Sequence, residues 1–295
     1  MTAIVGALAA ICVAGTLVWA AGSPVVFRST TRSRPHLGAA DRVPEAALIA
    51  PVATPASGPE KLPVKATEIN IPHSGWFSWA LLDTRTGQLS GPSDRTSVST
   101  TASLIKAWIG ADFLRGAAEQ GRTPSADDLD QVESMIRDSD NEAAAAFWAA
   151  NGETASIGRL ISICRLENAR AAADGGWSRT LLSPADITRL GACIADGRAA
   201  GPAWTGYLLD QMRGVRDEGD FGIRKAFPEA QRGAIAVKNG WIEREEEREY
   251  HVSCLAIGNG WTVGVMARYE IDKGYGYGAA ICETVGARLR EAAGR

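Results

Sequence analysis

The chain has 295 residues, 45% of them hydrophobic, and a net charge of −3. A nearly balanced charge leaves no basic footprint for nucleic acid as a partner, and the apolar share is enough to bury a real core. No phosphate loop or internal repeat is present. The three histidines, His36, His73 and His251, are scattered, so neither a histidine triad nor a metal cluster is expected.

Residues 3–22 carry no charge and are long enough to span a bilayer or to form a signal-peptide core. The segment 1–22 is therefore read as a signal peptide or signal anchor. Cys12 follows Ile11 rather than a small residue, which argues against a lipoprotein box. Arg28, Arg32 and Arg34 lie after the apolar run, and the positive-inside rule would keep the C-terminal part of the chain in the cytoplasm. Residues 23–70 are rich in Pro, Ala, Ser and Thr without periodicity and read as a flexible linker. The remaining stretch, 71–295, is long enough for one large domain or two intimate subdomains.

In that domain Trp76 to Asp83 alternates as a strand, with a short second strand around Gly87–Ser90. Thr101 to Glu119 reads as a buried helix, because its first half is apolar nearly all round. Ser125 with Asp128 three residues on marks a helix N-cap. Leu129, Val132 and Ile136 give that helix its apolar face. The pattern breaks at Asp138–Asn141, and an Ala-rich helix runs from Glu142 to Ala150. Ser183-Pro184-Ala185-Asp186 is a second helix start. Ala234–Ile242, Tyr250–Ile257 and Thr262–Tyr269 are strand-like, with Asn259-Gly260 as a hairpin turn. The charged stretch Glu243–Glu249 is a solvated hairpin tip, and Ala279–Ala292 is a closing helix. Strands at both ends and helices between them indicate an α+β domain. An antiparallel sheet is covered by terminal helices, with an all-helical insertion.

Three short motifs carry chemistry. Ser103-Leu104-Ile105-Lys106 places a hydroxyl and an amine on one helix face, three residues apart. Ser139-Asp140-Asn141 sits between two helices, where Ser139 and Asn141 face a cleft and Asp140 holds the loop. Lys238-Asn239-Gly240 lies on a strand, with Lys238 and Gly240 on the same side. Lysine is scarce in this chain, yet two of the few fall at motif positions. A neutral serine hydroxyl attacks poorly without a base, and an amine becomes a base when burial and a second cation lower its pKa.

In this order the motifs resemble the active site of the serine β-lactamase and penicillin-binding protein superfamily, with class A enzymes as the nearest pattern. The resemblance covers about residues 75–292. It implies a five-stranded antiparallel sheet with an inserted helical subdomain and an exported or membrane-anchored monomer that needs no cofactor. The implied substrate is a β-lactam or a D-alanyl peptide of peptidoglycan, and the implied intermediate is an acyl-enzyme. It assigns Ser103 as nucleophile, Lys106 as base, Ser139 as proton shuttle and Lys238 as a carboxylate-binding and polarising cation. Asn141, Asn239, Gly240 and Trp241 become substrate-binding residues, with the Ser103 and Trp241 N–H groups as an oxyanion hole.

The chain departs from that pattern twice. Asn239 stands where the family usually has Thr or Ser. The Glu-x-x-Leu-Asn motif that activates the deacylating water in class A enzymes is absent. Glu167 is the nearest fragment and reads as a surface residue, and Gly175-Gly176-Trp177-Ser178 offers no carboxylate after Asp174. The alternatives are a D-alanyl-peptide carboxypeptidase or esterase of the same superfamily, or a non-catalytic cell-wall-binding relative. Cys164, Cys193, Cys254 and Cys282 allow three disulfide pairings. Export would favour their oxidation over four buried free thiols.

Overall fold

The computed structural model describes Leu62 and residues 69–293. The proposed signal segment 1–22, and all of the linker but Leu62, Ile69 and Asn70, lie outside the described residues. Strand β1, Trp76–Asp83, forms where the alternation predicts it. Residues 78–81 are buried on both faces of the strand, which places it inside a covered sheet. The short strands β2 (Leu89–Ser90) and β3 (Ser99–Thr100) come next.

The predicted first helix divides. Ala102–Ile105 is a tight 3-10 turn, and helix α1 runs Lys106–Glu119. Ser125 caps helix α2 (Ala126–Arg137) by accepting from the Asp128 N–H, while the Asp128 carboxylate accepts from the Ser125 N–H. Helix α3 is Asn141–Ala150, one residue longer than the sequence suggests, because Asp140 is its cap and accepts from the Ala143 N–H at 2.7 Å. Helix α4 (Thr154–Cys164) and the short strand β4 (Leu181–Leu182) lead to helix α5 (Pro184–Ala195), which Ser183 and Asp186 start with a second capping box. Helices α6 (Thr205–Arg213) and α7 (Glu229–Arg232) complete the middle of the chain.

Strands β5 (Ala236–Arg244), β6 (Glu249–Gly258) and β7 (Trp261–Glu270) form an antiparallel meander. The sheet order is β2-β1-β7-β6-β5, so the strands at the two ends of the domain close on each other through β1 and β7. β5 is an edge strand. Helix α8 (Gly274–Ala293) begins five residues before the predicted Ala279. Its three early glycines argue against helix by propensity. Packing overrides that: a Cβ on Gly278 would lie 2.5 Å from the Tyr269 Oη and from Val252, so only glycine lets this helix dock on the sheet.

α8 covers one face of the sheet. α5 and the start of α1 cover the other, where Thr262 Oγ1 donates to the Thr188 carbonyl at 2.9 Å. Two disulfides form among the three possible pairings. Cys164–Cys193 joins α4 to α5, and Cys254–Cys282 ties β6 to α8. Among the described residues no helix is long and apolar enough to cross a membrane, and no group of His, Cys, Asp or Glu could hold a metal ion.

Candidate active site

Gly240 decides where the first and third motifs meet. A Cβ there would lie 2.3 Å from the Thr101 carbonyl oxygen and 2.6 Å from the backbone nitrogens of Ser103 and Leu104. No side chain fits, so β5 packs backbone to backbone against the turn that carries Ser103. The motif pattern makes Gly240 a substrate-binding residue; the close approach is instead to the Ser103 turn itself. Ser253 on β6 secures the same turn by donating from its hydroxyl to the Thr101 carbonyl at 2.5 Å. Ala102, just before Ser103, has φ +47°, in the left-handed region that costs a non-glycine residue about 1–3 kcal/mol. Ser103 is half-buried, and among the described residues its hydroxyl has no hydrogen-bond partner.

One turn on, Lys106 is fully buried. Its Nζ donates to the Ser139 carbonyl and to Asn141 Oδ1 at 2.7 Å, and lies 3.4 Å from Ser139 Oγ. Burial lowers its pKa to about 8, against a smaller raising effect of Asp140. A neutral amine has two hydrogens and one lone pair. The two close acceptors would use both hydrogens of the neutral form and leave its lone pair uncommitted.

Lys238 reaches the same point from β5. It too is fully buried, and its Nζ donates to Ser139 Oγ at 2.9 Å. Burial, then the nearby Lys106, hold its pKa well below the usual lysine value, with Asp138 opposing them. Ser139 therefore sits between two amines, and its own φ of +61° turns both its carbonyl and its hydroxyl toward them. The loop that imposes this conformation is pinned at both ends. Arg216 forms a two-pronged pair with Asp138, and Asp140 caps α3. Asp140 is thus a structural residue of the loop.

The structure brings Ser103, Lys106, Ser139, Asn141, Lys238 and Gly240 to one place. It does not bring Asn239. That side chain is 1% exposed and donates to the carbonyls of Gly219, at 3.0 Å, and Phe221, at 2.9 Å. Strand alternation turns it to the α8 face, away from Lys238, so its amide has no donor left for a substrate. Trp241 shares the Asn239 face, half-buried against Phe221 and Tyr275 at ring-centroid distances of 5.7 and 5.8 Å. Its backbone follows Gly240 directly along the open edge of β5, beside the Ser103 turn.

The sequence alone gives Trp177 no role. It lies in the 3-10 turn Trp177–Arg179, with its ring centroid 5.0 Å from Lys106 Nζ. Arg179 pairs with Glu247 at 3.0 Å and with Asp174 at 3.3 Å, and Arg244 donates to the Ser178 carbonyl at 3.0 Å, so the β5–β6 hairpin clamps this turn in place. The charged hairpin tip is therefore more than a solvated loop. Glu167 is exposed and pairs with Arg189 at 2.8 Å, as expected of a surface residue. His251 is buried on β6 between Thr100 and Glu249, and burial lowers its pKa.

No family model matches the chain. The protein named "Putative lipoprotein LppW" from Mycobacterium tuberculosis is 29% identical over 216 residues, covering 71% of this chain and 68% of its own length. Its Mycobacterium bovis counterpart matches equally. Among solved structures, L2 complexed with relebactam superposes with a TM-score of 0.61 at 17% identity, over 74% of this chain and 91% of its own. A β-lactamase from Burkholderia vietnamiensis gives 0.61 at 16% identity, over 74% and 91%. An ancestral class A β-lactamase gives 0.56 at 20% identity, over 74% and 95%. The chain has the class A β-lactamase fold.

Proposed function

We propose that this chain is an exported serine acyl hydrolase that forms an acyl-enzyme at Ser103 with a β-lactam or a related amide or ester. The observation that carries the proposal is the meeting of two fully buried amines, Lys106 and Lys238, on one hydroxyl, Ser139, next to the Ser103 turn. An ordinary fold does not bury two lysines together without carboxylate partners, because desolvation costs each several kcal/mol or neutralises it.

In the proposed cycle neutral Lys106 takes the Ser103 proton as Oγ bonds to the substrate carbonyl carbon. The Ser103 and Trp241 N–H groups hold the oxyanion. Asn141 orients the substrate amide. The carbon–nitrogen or carbon–oxygen bond then breaks, and Ser139, polarised by Lys238, passes its proton to the departing atom and takes the Lys106 proton in its place, which returns Lys106 to the neutral amine. Water cleaves the acyl ester and returns the proton to Ser103. Among the described residues no carboxylate hydrogen-bonds to Lys106, Ser139 or Lys238 to activate that water, since the neighbouring Asp138 is engaged by Arg216 and Asp140 caps α3. Trp177 occupies the space over Lys106, and Glu167 faces solvent. The deacylation half is therefore slow. That feature favours a peptidase-like or esterase-like cycle over rapid lactam turnover. The internal bonding of Asn239 is the observation that favours the third reading, a binding relative without turnover.

Two disulfides fit an extracellular location. The lipoprotein name of the mycobacterial relatives supports placing this chain outside the membrane and attached to it.

Intact mass spectrometry of the protein after incubation with a penicillin, beside Ser103→Ala, tests the proposal. A persistent adduct on the wild type alone is expected. Consumption of the penicillin without an adduct, abolished in Ser103→Ala, would keep Ser103 and remove slow deacylation. Absence of any adduct or consumption with penicillins, D-alanyl peptides and p-nitrophenyl esters would leave only the binding reading.

A further inference from the structure

We propose that the cavity beside the C-terminal half of helix α1 is a second ligand site, which takes a phosphate group. The inference goes beyond the acyl-transfer reading and does not depend on it.

The cavity has a volume of about 340 Å³, within the range of small-molecule sites. Helix α1 supplies one wall. Asp112, Arg115 and Glu119 follow each other at three- and four-residue spacing, so they share one helix face. Gly121, at φ +66°, turns the chain just after the helix, and Arg122 follows it into the lining. The other wall is the connection from α3 to α4. Asn151 Nδ2 donates to the Ile109 carbonyl at 2.9 Å and holds that connection against α1, and Arg159 comes in from α4. Phe113 and Ala150 add apolar surface. Lys106 lies at the opposite end of α1 and is not part of this lining.

The charges of this lining do not balance. Three guanidinium groups face two carboxylates, and both carboxylates are already engaged. Arg115 donates to Asp112 and, at 2.6 Å, to Glu119. Arg159 donates to Asp112 through Nε and Nη2, and its Nη2 also donates to the Asn151 carbonyl at 2.6 Å. Arg122 has no carboxylate partner among the described residues; its Nε donates to Gln120 Oε1 at 2.9 Å. Four guanidine nitrogens are left without an acceptor among the described residues: Arg159 Nη1, both terminal nitrogens of Arg122, and the buried Nε of Arg115. A lining with one positive charge in excess and more donors than acceptors is complementary to an anion. Arginine forks match the paired oxygens of a phosphate. A phosphate ester brings nearly two negative charges at neutral pH and three acceptor oxygens, so it answers more of these donors than a carboxylate with two. The group itself fills only part of the cavity, which leaves the Phe113 side for a small carrier.

Isothermal titration calorimetry of the full chain at constant ionic strength tests this with glycerol 2-phosphate, inorganic phosphate and succinate. Saturable binding of one glycerol 2-phosphate per chain is expected, at least about tenfold tighter than succinate. Arg122→Gln, an exposed change that breaks no ion pair, should weaken it by about tenfold. Gly116→Leu should abolish it. A Cβ at Gly116 meets nothing within 4 Å, so the new side chain grows into the cavity that Gly116 lines, and leucine favours the helix over glycine. Ser103→Ala should bind as the wild type does, which separates this site from acyl transfer. Inorganic phosphate binding as tightly as the ester would make the free ion the ligand of the same site, and a tighter ester would assign the Phe113 side to a carrier. The inference is overturned by no saturable binding of either phosphate compound, by succinate binding equally well, by binding that Gly116→Leu and Arg122→Gln leave unchanged, or by binding that Ser103→Ala removes.

Discussion

Helix α1 carries two buried charge clusters less than two turns apart, and they are built on opposite plans. At its start, Lys106 shares Ser139 with Lys238, and no carboxylate pairs with either amine. Farther along, Asp112 is 2% exposed and is fully matched. It accepts from Arg115, from Arg159 Nε at 3.0 Å and from Ser156 Oγ at 2.6 Å, and Ser156 in turn accepts from Trp108 Nε1 at 2.9 Å. Opposite charges satisfy each other in the second cluster and hold α1 to α4. In the first, like groups are forced together, burial lowers the proton affinity of both, and Lys106 lowers that of Lys238 further. A fold that solves the problem so completely at Asp112 gains nothing structural by leaving it open at Ser139. That contrast is the physical reason to place chemistry at one site and stability at the other.

The contrast breaks most visibly at Asp112. Asp112→Ala leaves Arg115 and Arg159 facing an empty, mostly buried position. Removing one partner of a buried pair costs about 3–5 kcal/mol. The expected result is a large drop in the denaturation midpoint, read by urea unfolding at neutral pH. A loss under about 1 kcal/mol would mean that the cluster is wet and that the comparison fails.

Lys238→Met should do the opposite. It replaces a desolvated amine with an apolar chain of similar length, which in buried ionic sites is neutral or stabilising by about 1–4 kcal/mol. Ser139 Oγ keeps Lys106 within reach at 3.4 Å. The variant is expected to unfold at higher urea than the wild type while acylation of Ser103 falls sharply. A variant that is both less stable and as active as the wild type would make Lys238 structural.

Much of this arrangement was legible in the sequence because it is local. The Ser125–Asp128 and Ser183–Asp186 caps, the Trp76–Asp83 alternation and the Asn259-Gly260 turn are each decided by residues within a few positions, and each forms as expected. The motif trio was legible because Ser103, Lys106, Ser139 and Lys238 are residue types at fixed local spacing. What escaped depends on contacts far along the chain. The role of Gly240 is set by Thr101–Leu104, and that of Asn239 by the carbonyls of Gly219 and Phe221. Trp177 reaches Lys106 only because Arg179 and Arg244 fasten its turn. Strand alternation did place Asn239 and Lys238 on opposite faces. Which face held the site was not a local property.

The two clusters should also differ in how pH acts on the amine that lacks a carboxylate. Lys106 has a folded-state pKa of about 8, below its ordinary 10.5, with burial as the main cause. Its depressed value means that the protonated amine destabilises the fold. That penalty is complete below about pH 8 and lifts as pH rises toward 10.5. In the proposed cycle reactivity tracks the same titration, because only a neutral amine can accept the Ser103 proton. Acylation should rise about tenfold between pH 7 and pH 9 and then level off, a difference of about 1.4 kcal/mol in the barrier. Stopped-flow rates with a chromogenic ester across that range would show it. Lys106→Arg, which stays protonated throughout, should give a flat and much lower line. A wild-type profile that is flat from pH 6 to 9 would take the base role away from Lys106. The paired amines would then be a charged platform for substrate rather than a proton acceptor.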